Sequence, residues 1–238
     1  MSGQSKIEWT DATWNPVTGC TKVSPGCKHC YAERITKRWG GDFSKVTLHP
    51  DRLDAPLHWR KPRMVFVNSM SDLFHEDVPD YFIDDVFDVC AVAANHTFQI
   101  LTKRPERMMR YCQDDDRSIL HNVWLGVSVE DQQRADERIP HLLQTPAAVR
   151  FLSVEPMLGP VALSAWLGSI DWVICGGESG PGARPMDQGW ARILRDQCVH
   201  AGVPFFFKQW GGVKKKRTGR VLDGRTWDEM PNVFREEK

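Results

Sequence analysis

Three cysteines fall within eleven residues, in the stretch Cys20-Thr-Lys-Val-Ser-Pro-Gly-Cys27-Lys-His-Cys30, which Tyr31-Ala32-Glu33 follows. A Pro25-Gly26 turn lets the thiolates converge, and a helix starting just behind them favours negative charge, so the loop suits one metal centre. Structural zinc wants four closing ligands, commonly two C-x2-C knuckles. This chain has one knuckle and one extra cysteine, with His29 between the knuckle cysteines and poorly placed to join them. Three thiolates and an open fourth position suit a [4Fe-4S] cubane, whose ligands are otherwise four thiolates. A zinc-bearing, nucleic-acid-binding module without catalysis stays open as the alternative. The other four cysteines sit singly in helix or strand patterns and read as small buried hydrophobes.

A second set of polar residues recurs directly behind apolar runs. They are Asn68-Ser69-Met70-Ser71-Asp72, Thr102-Lys103-Arg104, Ser128-Val129-Glu130, Ser153-Val154-Glu155-Pro156, Gly176-Gly177-Glu178-Ser179 and Lys208-Gln209-Trp210. In barrels, functional residues gather where strands meet their following loops. A series of such ends facing one mouth makes a charged, hydrogen-bonding cavity. Gly176 to Gly182 reads as a turn that lets backbone approach a ligand. It is no P-loop, because no Gly-Lys-Ser/Thr follows. A barrel hydrolase using Glu155 and Glu178 as paired carboxylates is a further reading, but it leaves the cysteine loop without a role.

The elements that must position these groups alternate. Short unbroken hydrophobic runs at Met64–Asn68, Phe98–Thr102, Val123–Val127, Val149–Val154, Trp172–Cys175 and Pro204–Lys208 predict strands buried on both faces. Helical periodicity fills the gaps at Tyr31–Trp39, Asp80–Asn95, Asp131–Gln144 and Gln188–His200, with Pro140 a possible break and Gly202 a stop. Trp14–Thr18 supplies a first short strand. Strand–helix alternation implies βαβ units with right-handed crossovers. The expected fold class is therefore α/β: a partial (β/α)6-7 TIM-like barrel of parallel strands with a C-terminal extension. The barrel is expected over 1–210 with the cluster loop at 20–30, and a basic hairpin or cover over 211–238. Several of the ten tryptophans stand beside glycines or prolines, where large rings tend to line sites.

With these motifs the chain resembles the radical S-adenosylmethionine superfamily. The usual spacing there is C-x3-C-x2-C after the first barrel strand, whereas six residues separate Cys20 from Cys27. The resemblance implies a [4Fe-4S] cluster on Cys20, Cys27 and Cys30, with S-adenosylmethionine chelated at the open iron and cleaved to a 5′-deoxyadenosyl radical. It also implies an electron donor such as a flavodoxin or ferredoxin. The residue before the last cysteine is usually aromatic and beside the adenine; here it is His29, with Tyr31 one place further on. The strand-end order serine, lysine, serine resembles the spore photoproduct lyase branch. That implies Ser69 or Ser71, Lys103 and Ser128 as contacts for the methionine carboxylate and ribose, chemistry to which a lysine point charge and hydroxyls are suited. Asp72 would accept from the ammonium. Glu130, Glu155 and Glu178 are available for ribose or substrate, Glu155 first because Pro156 fixes the adjoining turn. Tyr31 and Glu178 are the candidate catalytic residues. The substrate class this implies is a nucleic-acid base or nucleotide. The whole chain also resembles a phage and bacterial family of unknown function marked by S-P-G-C-x-x-C-Y-A and G-R-x-L-D-G-R.

Composition sets wider limits. With 31 basic and 31 acidic residues the net charge is zero, so no global pull toward nucleic acid or anionic membrane follows. The local run Lys214-Lys215-Lys216-Arg217, continued by Arg220 and Arg225, reads as a solvated hairpin tip or a phosphate-contacting patch. No window reaches the roughly 18 apolar residues of a membrane span, and Met1 to Trp9 lacks a signal-peptide core. A cytoplasmic protein without disulfides is expected.

Overall fold

The computed structural model describes residue 5, residues 7–114 and residues 117–232. Strand β1 (Ala12–Trp14) opens the main sheet, while β2 (Val17–Thr18) and β3 (Thr47–Leu48) pair antiparallel in a small separate ribbon. The main sheet continues with β4 (Met64–Val67), β5 (Thr97–Thr102), β6 (Val123–Ser128), β7 (Val149–Val154), β8 (Trp172–Gly176) and β9 (Phe205–Gln209). Its order is β1-β4-β5-β6-β7-β8-β9, and every neighbouring pair is parallel. Helices α1 (Tyr31–Arg38), α2 (Asp80–Val92), α3 (Pro105–Cys112), α4 (Gln132–Gln144), α5 (Gln188–Ala201) and the short α6 (Lys215–Thr218) complete the described elements. The sheet curls into the expected α/β partial barrel with its helices on the outside.

Three details differ from the expected layout. The first strand of the main sheet, Ala12–Trp14, overlaps the expected Trp14–Thr18 only at Trp14, and the chain leaves the main sheet there, with Val17–Thr18 joining the small ribbon instead. Pro16 has no N–H for a ladder, and Asn68 Oδ1 takes the Val17 N–H at 3.2 Å. Helix α3 had no counterpart in the periodicity; it begins at a proline and buries only Pro105, Met108 and Tyr111. Pro140 does not break α4, because buried Arg138, Ile139 and Leu142 anchor the helix on both sides of it.

Alternation along the strands sorts side chains into two cores. Val65, Val67, Phe98, Ile100, Leu125, Val127, Leu152 and Phe207 pack outward under the helices. Trp9, Phe66, Trp124, Phe151, Trp172 and Phe206 point inward and fill the barrel floor. Trp172 is central: its ring lies 5.8 Å from Phe151, 6.0 Å from both Trp124 and Phe206, and 6.2 Å from Trp9. Gly126 makes this possible, since a Cβ there would stand 2.6 Å from the Phe151 ring. Trp9, Trp124 and Trp172 therefore build the floor; none of them stands beside a glycine or proline. Cys90, Cys175 and Cys198 are fully buried in the outer core, with Cys175 facing away from the barrel interior.

The segment after β9 is a strap. It forms α6, turns at Leu222–Arg225, and then runs antiparallel beside β9, where Phe207 N–H donates to the Trp227 carbonyl at 2.9 Å. The strap covers a sheet edge that would otherwise stay unpaired.

Candidate functional site

Above the aromatic floor the barrel interior becomes polar. Period-two alternation carries the inward side of β6 from Trp124 through Gly126 to Ser128, and that of β7 from Phe151 to Ser153 and on to Glu155. Ser128 and Ser153 are register partners, and both are buried. Lys103, just past β5, donates from Nζ to Ser128 Oγ at 3.1 Å. At the ends of β7 and β9, Glu155 accepts from Lys208 Nζ at 2.9 Å and from Gln209 Nε2 at 3.1 Å. The C-terminal end of the sheet thus presents lysines, serines and a carboxylate, as expected of a site.

The cysteine loop spans this same end, because residues from successive strand ends hold it there. After β4, the Tyr31 hydroxyl donates to the Ser69 carbonyl, and the His75 ring bonds Thr21 Oγ1 at 2.8 Å. After β5, Arg104 donates to Thr21 Oγ1 at 2.8 Å, to the Thr21 carbonyl at 3.3 Å and to Cys20 Sγ at 3.5 Å. After β6, Glu130 accepts from Ser24 Oγ while buried Arg138 of α4 holds its other oxygen at 2.8 Å. After β8, Glu178 carries Arg184, which reaches the Pro25 carbonyl at 3.0 Å. Gly26 is required by this closeness, since a Cβ there would meet the Glu130 side chain at 2.3 Å.

The residues singled out in the sequence therefore divide. Lys103 and Ser128 touch each other at the mouth, and Glu155 stands opposite Lys208. Asp72 is an internal anchor. Its oxygens take Thr102 Oγ1 at 2.7 Å, Lys103 N–H at 3.0 Å, Phe74 N–H at 3.1 Å and Arg104 at 3.2 Å. Ser71 donates to the Val17 carbonyl at 2.8 Å, and Ser69 to Asn15 Oδ1 at 3.1 Å. Glu130 and Glu178 are ion-paired to Arg138 and Arg184, so both serve to hold the loop. Tyr31 is 42% exposed as a residue, although its hydroxyl is tied down. Lys214, Lys216 and Arg217 are exposed on or beside α6, whereas Arg220 pairs with Asp228 and Arg225 stacks 3.5 Å above the Trp227 ring.

Arg104 and Arg184 were not among the expected site residues. Arg104 directly follows the expected Lys103, which is the one sequence signal for it. Nothing local marks Arg184, which bridges 159 residues to its loop partner.

Charge at the site follows from these contacts. Burial pushes the Cys20 thiol up to about 11; Asp72 adds to the rise and Arg104 opposes it. Desolvation alone would raise the Glu178 carboxyl, yet hydrogen bonds and charge from Arg184 hold it below the usual carboxylate range. Burial of its hydroxyl raises the Tyr31 phenol, and neighbouring Cys30 and Glu155 add to the effect.

The donor set fits a three-thiolate cluster. Cys20, Cys27 and Cys30 are all free and half-buried. Cys27 ends a short turn, and Cys30 is the N-cap of α1 with its side chain uncommitted to capping, at a helix end whose first N–H groups have no intrahelical partners. Among the described residues no three His, Cys, Asp or Glu side chains converge on a single metal-ion position. A cubane does not ask for that, because each thiolate binds a different iron. No described helix is long and apolar enough to cross a membrane.

Comparison with solved structures shows where this architecture recurs. The chain is similar to a serine-for-cysteine mutant of spore photoproduct lyase, with a TM-score of 0.52 at 9% identity over 83% of this chain and 63% of that one. A spore photoproduct lyase complexed with dinucleoside spore photoproduct gives a TM-score of 0.47 at 10% identity, with the same coverage. The chain thus spans 63% of the length of the lyase it matches, and at such identity the likeness concerns the fold. A search among curated proteins found no match. Residues 4–231 match the family described as protein of unknown function (DUF5131), so the chain belongs to that family.

Proposed function

We propose that the chain is a radical S-adenosylmethionine enzyme with a [4Fe-4S] cluster on Cys20, Cys27 and Cys30. The observation that carries this reading is the placement of the three half-buried thiols. They lie in a loop held over the polar end of a partial barrel by groups from four strand ends. The barrel itself is of the spore photoproduct lyase type. A cluster held by Cys20, Cys27 and Cys30 would supply the one electron needed to break the C5′–S bond of S-adenosylmethionine, giving methionine and a 5′-deoxyadenosyl radical able to take hydrogen from a substrate.

The protein's own groups have distinct parts in this reading. Lys103 offers a point charge to the methionine carboxylate, and Ser128 and Ser153 offer hydroxyls beside it. Glu155 accepts hydrogen bonds from Lys208 and Gln209, where ribose or substrate hydroxyls can join them. Tyr31 and Glu178 are the nearest candidates for moving a proton, although Glu178 must first release Arg184. The substrate class is a nucleobase or nucleotide. The exposure of Lys214, Lys216 and Arg217 supports this part of the reading, since phosphates would meet them in solvent. Electrons come from a flavodoxin or ferredoxin.

Anaerobic reconstitution with iron and sulfide tests the metal centre. The expected result is a brown protein with about four irons per chain, reduced to background when all three cysteines become alanine. Tight uptake of about one zinc and no iron would favour the non-catalytic alternative.

A further inference from the structure

The Arg104 guanidinium lies 3.5 Å from Cys20 Sγ and its side chain is only 10% exposed. It cannot easily swing away. Asp72 holds it at 3.2 Å from within the fold, Glu76 at 3.0 Å from outside, and Thr21 binds its remaining nitrogen on both backbone and side chain. Asp72 is itself fixed by three further donors, from Thr102, Lys103 and Phe74. A cation is thus built rigidly against one of the three thiols, at greater cost than loop anchoring needs, since Arg184 anchors the same loop through a carbonyl alone.

We propose that Arg104 is a positioning residue that sets the reduction potential of the centre by hydrogen-bonding the Cys20 sulfur. The inference rests on the cluster reading above. A [4Fe-4S]²⁺ centre with three thiolates carries a net negative charge, and one electron from a flavodoxin- or ferredoxin-class donor makes it more negative without forming or breaking a bond. A charged donor at a ligand sulfur stabilises the more negative state, so Arg104 raises the midpoint and eases electron entry. Asp72 and Glu76 moderate the effect by offsetting part of the guanidinium charge, but neither contacts the sulfur.

The test is a redox titration of the anaerobically reconstituted full chain, followed by the electron paramagnetic resonance signal of the reduced cluster. Arg104→Gln is expected to lower the reduced-to-oxidised ratio at a fixed potential about tenfold, which is about 59 mV for one electron. Arg104→Lys keeps the charge at shorter reach and is expected to fall between that variant and the wild type. Should Arg104→Gln take up no cluster, Arg104→Lys carries the comparison. An unchanged midpoint in a variant that loads normally overturns the inference while leaving the cluster reading intact. Failure of the wild-type chain to take up any cluster overturns both.

Discussion

Lys103 and Asp72 show how neighbouring strand-end residues take opposite parts. Among the described residues the Lys103 ammonium donates to the Ser128 hydroxyl alone, whereas Asp72 spends both oxygens on internal donors. Lys103→Ala is therefore expected to weaken S-adenosylmethionine binding by roughly tenfold with little change in melting temperature. Calorimetric binding to the reconstituted protein measures this, and wild-type affinity in the variant would remove Lys103 from the carboxylate. Glu130→Ala is expected to act the other way. It strands Arg138, whose side chain is 6% exposed, and breaking such a pair costs about 3–5 kcal/mol, readable by urea unfolding. The cysteines were legible in the sequence because their ligand chemistry depends on local spacing. Arg104 and Arg184 were not, because each meets the loop across 84 and 159 residues, a pairing only the folded sheet creates.

Among the elements, six of the seven strands in the main sheet were legible, since unbroken apolar runs have few alternatives to a doubly covered strand. What was not legible depended on single polar atoms or weak periodicity. Asn68 diverts Val17 from the sheet, and α3 buries too little to announce itself. The turn at Pro25–Cys27 is the element on which the site depends most. Gly26→Ala is expected to push the turn off Glu130 and to lower iron uptake severalfold, measured by iron content after reconstitution. The Arg184 clamp has a pH signature. Because the Glu178 carboxyl is held below its ordinary value, the clamp is fully present above the unfolded value of about 4.3 and is lost as pH falls through the lower folded value. Thermal melts of wild type and Arg184→Met should therefore converge on acidification below about pH 4; a gap that stays constant would show that the ion pair contributes nothing.

For the molecule as a whole, the partial barrel divides its labour along its axis. Aromatic rings close one end, and polar strand ends under a cysteine loop form the other. Trp172→Ala should cost about 3–5 kcal/mol in unfolding experiments without altering the thiols, since that ring belongs to the floor alone. Zero net charge gives no global attraction to a polyanion. The proposed function requires that the three cysteines hold a centre that cleaves S-adenosylmethionine. The most direct measurement is 5′-deoxyadenosine formed by the reconstituted chain under dithionite, quantified by chromatography against the triple Cys20, Cys27 and Cys30 to alanine variant. Product from the wild type and only background from the variant are expected; equal product from both, or none from a wild type carrying its full complement of iron, would overturn the cluster reading.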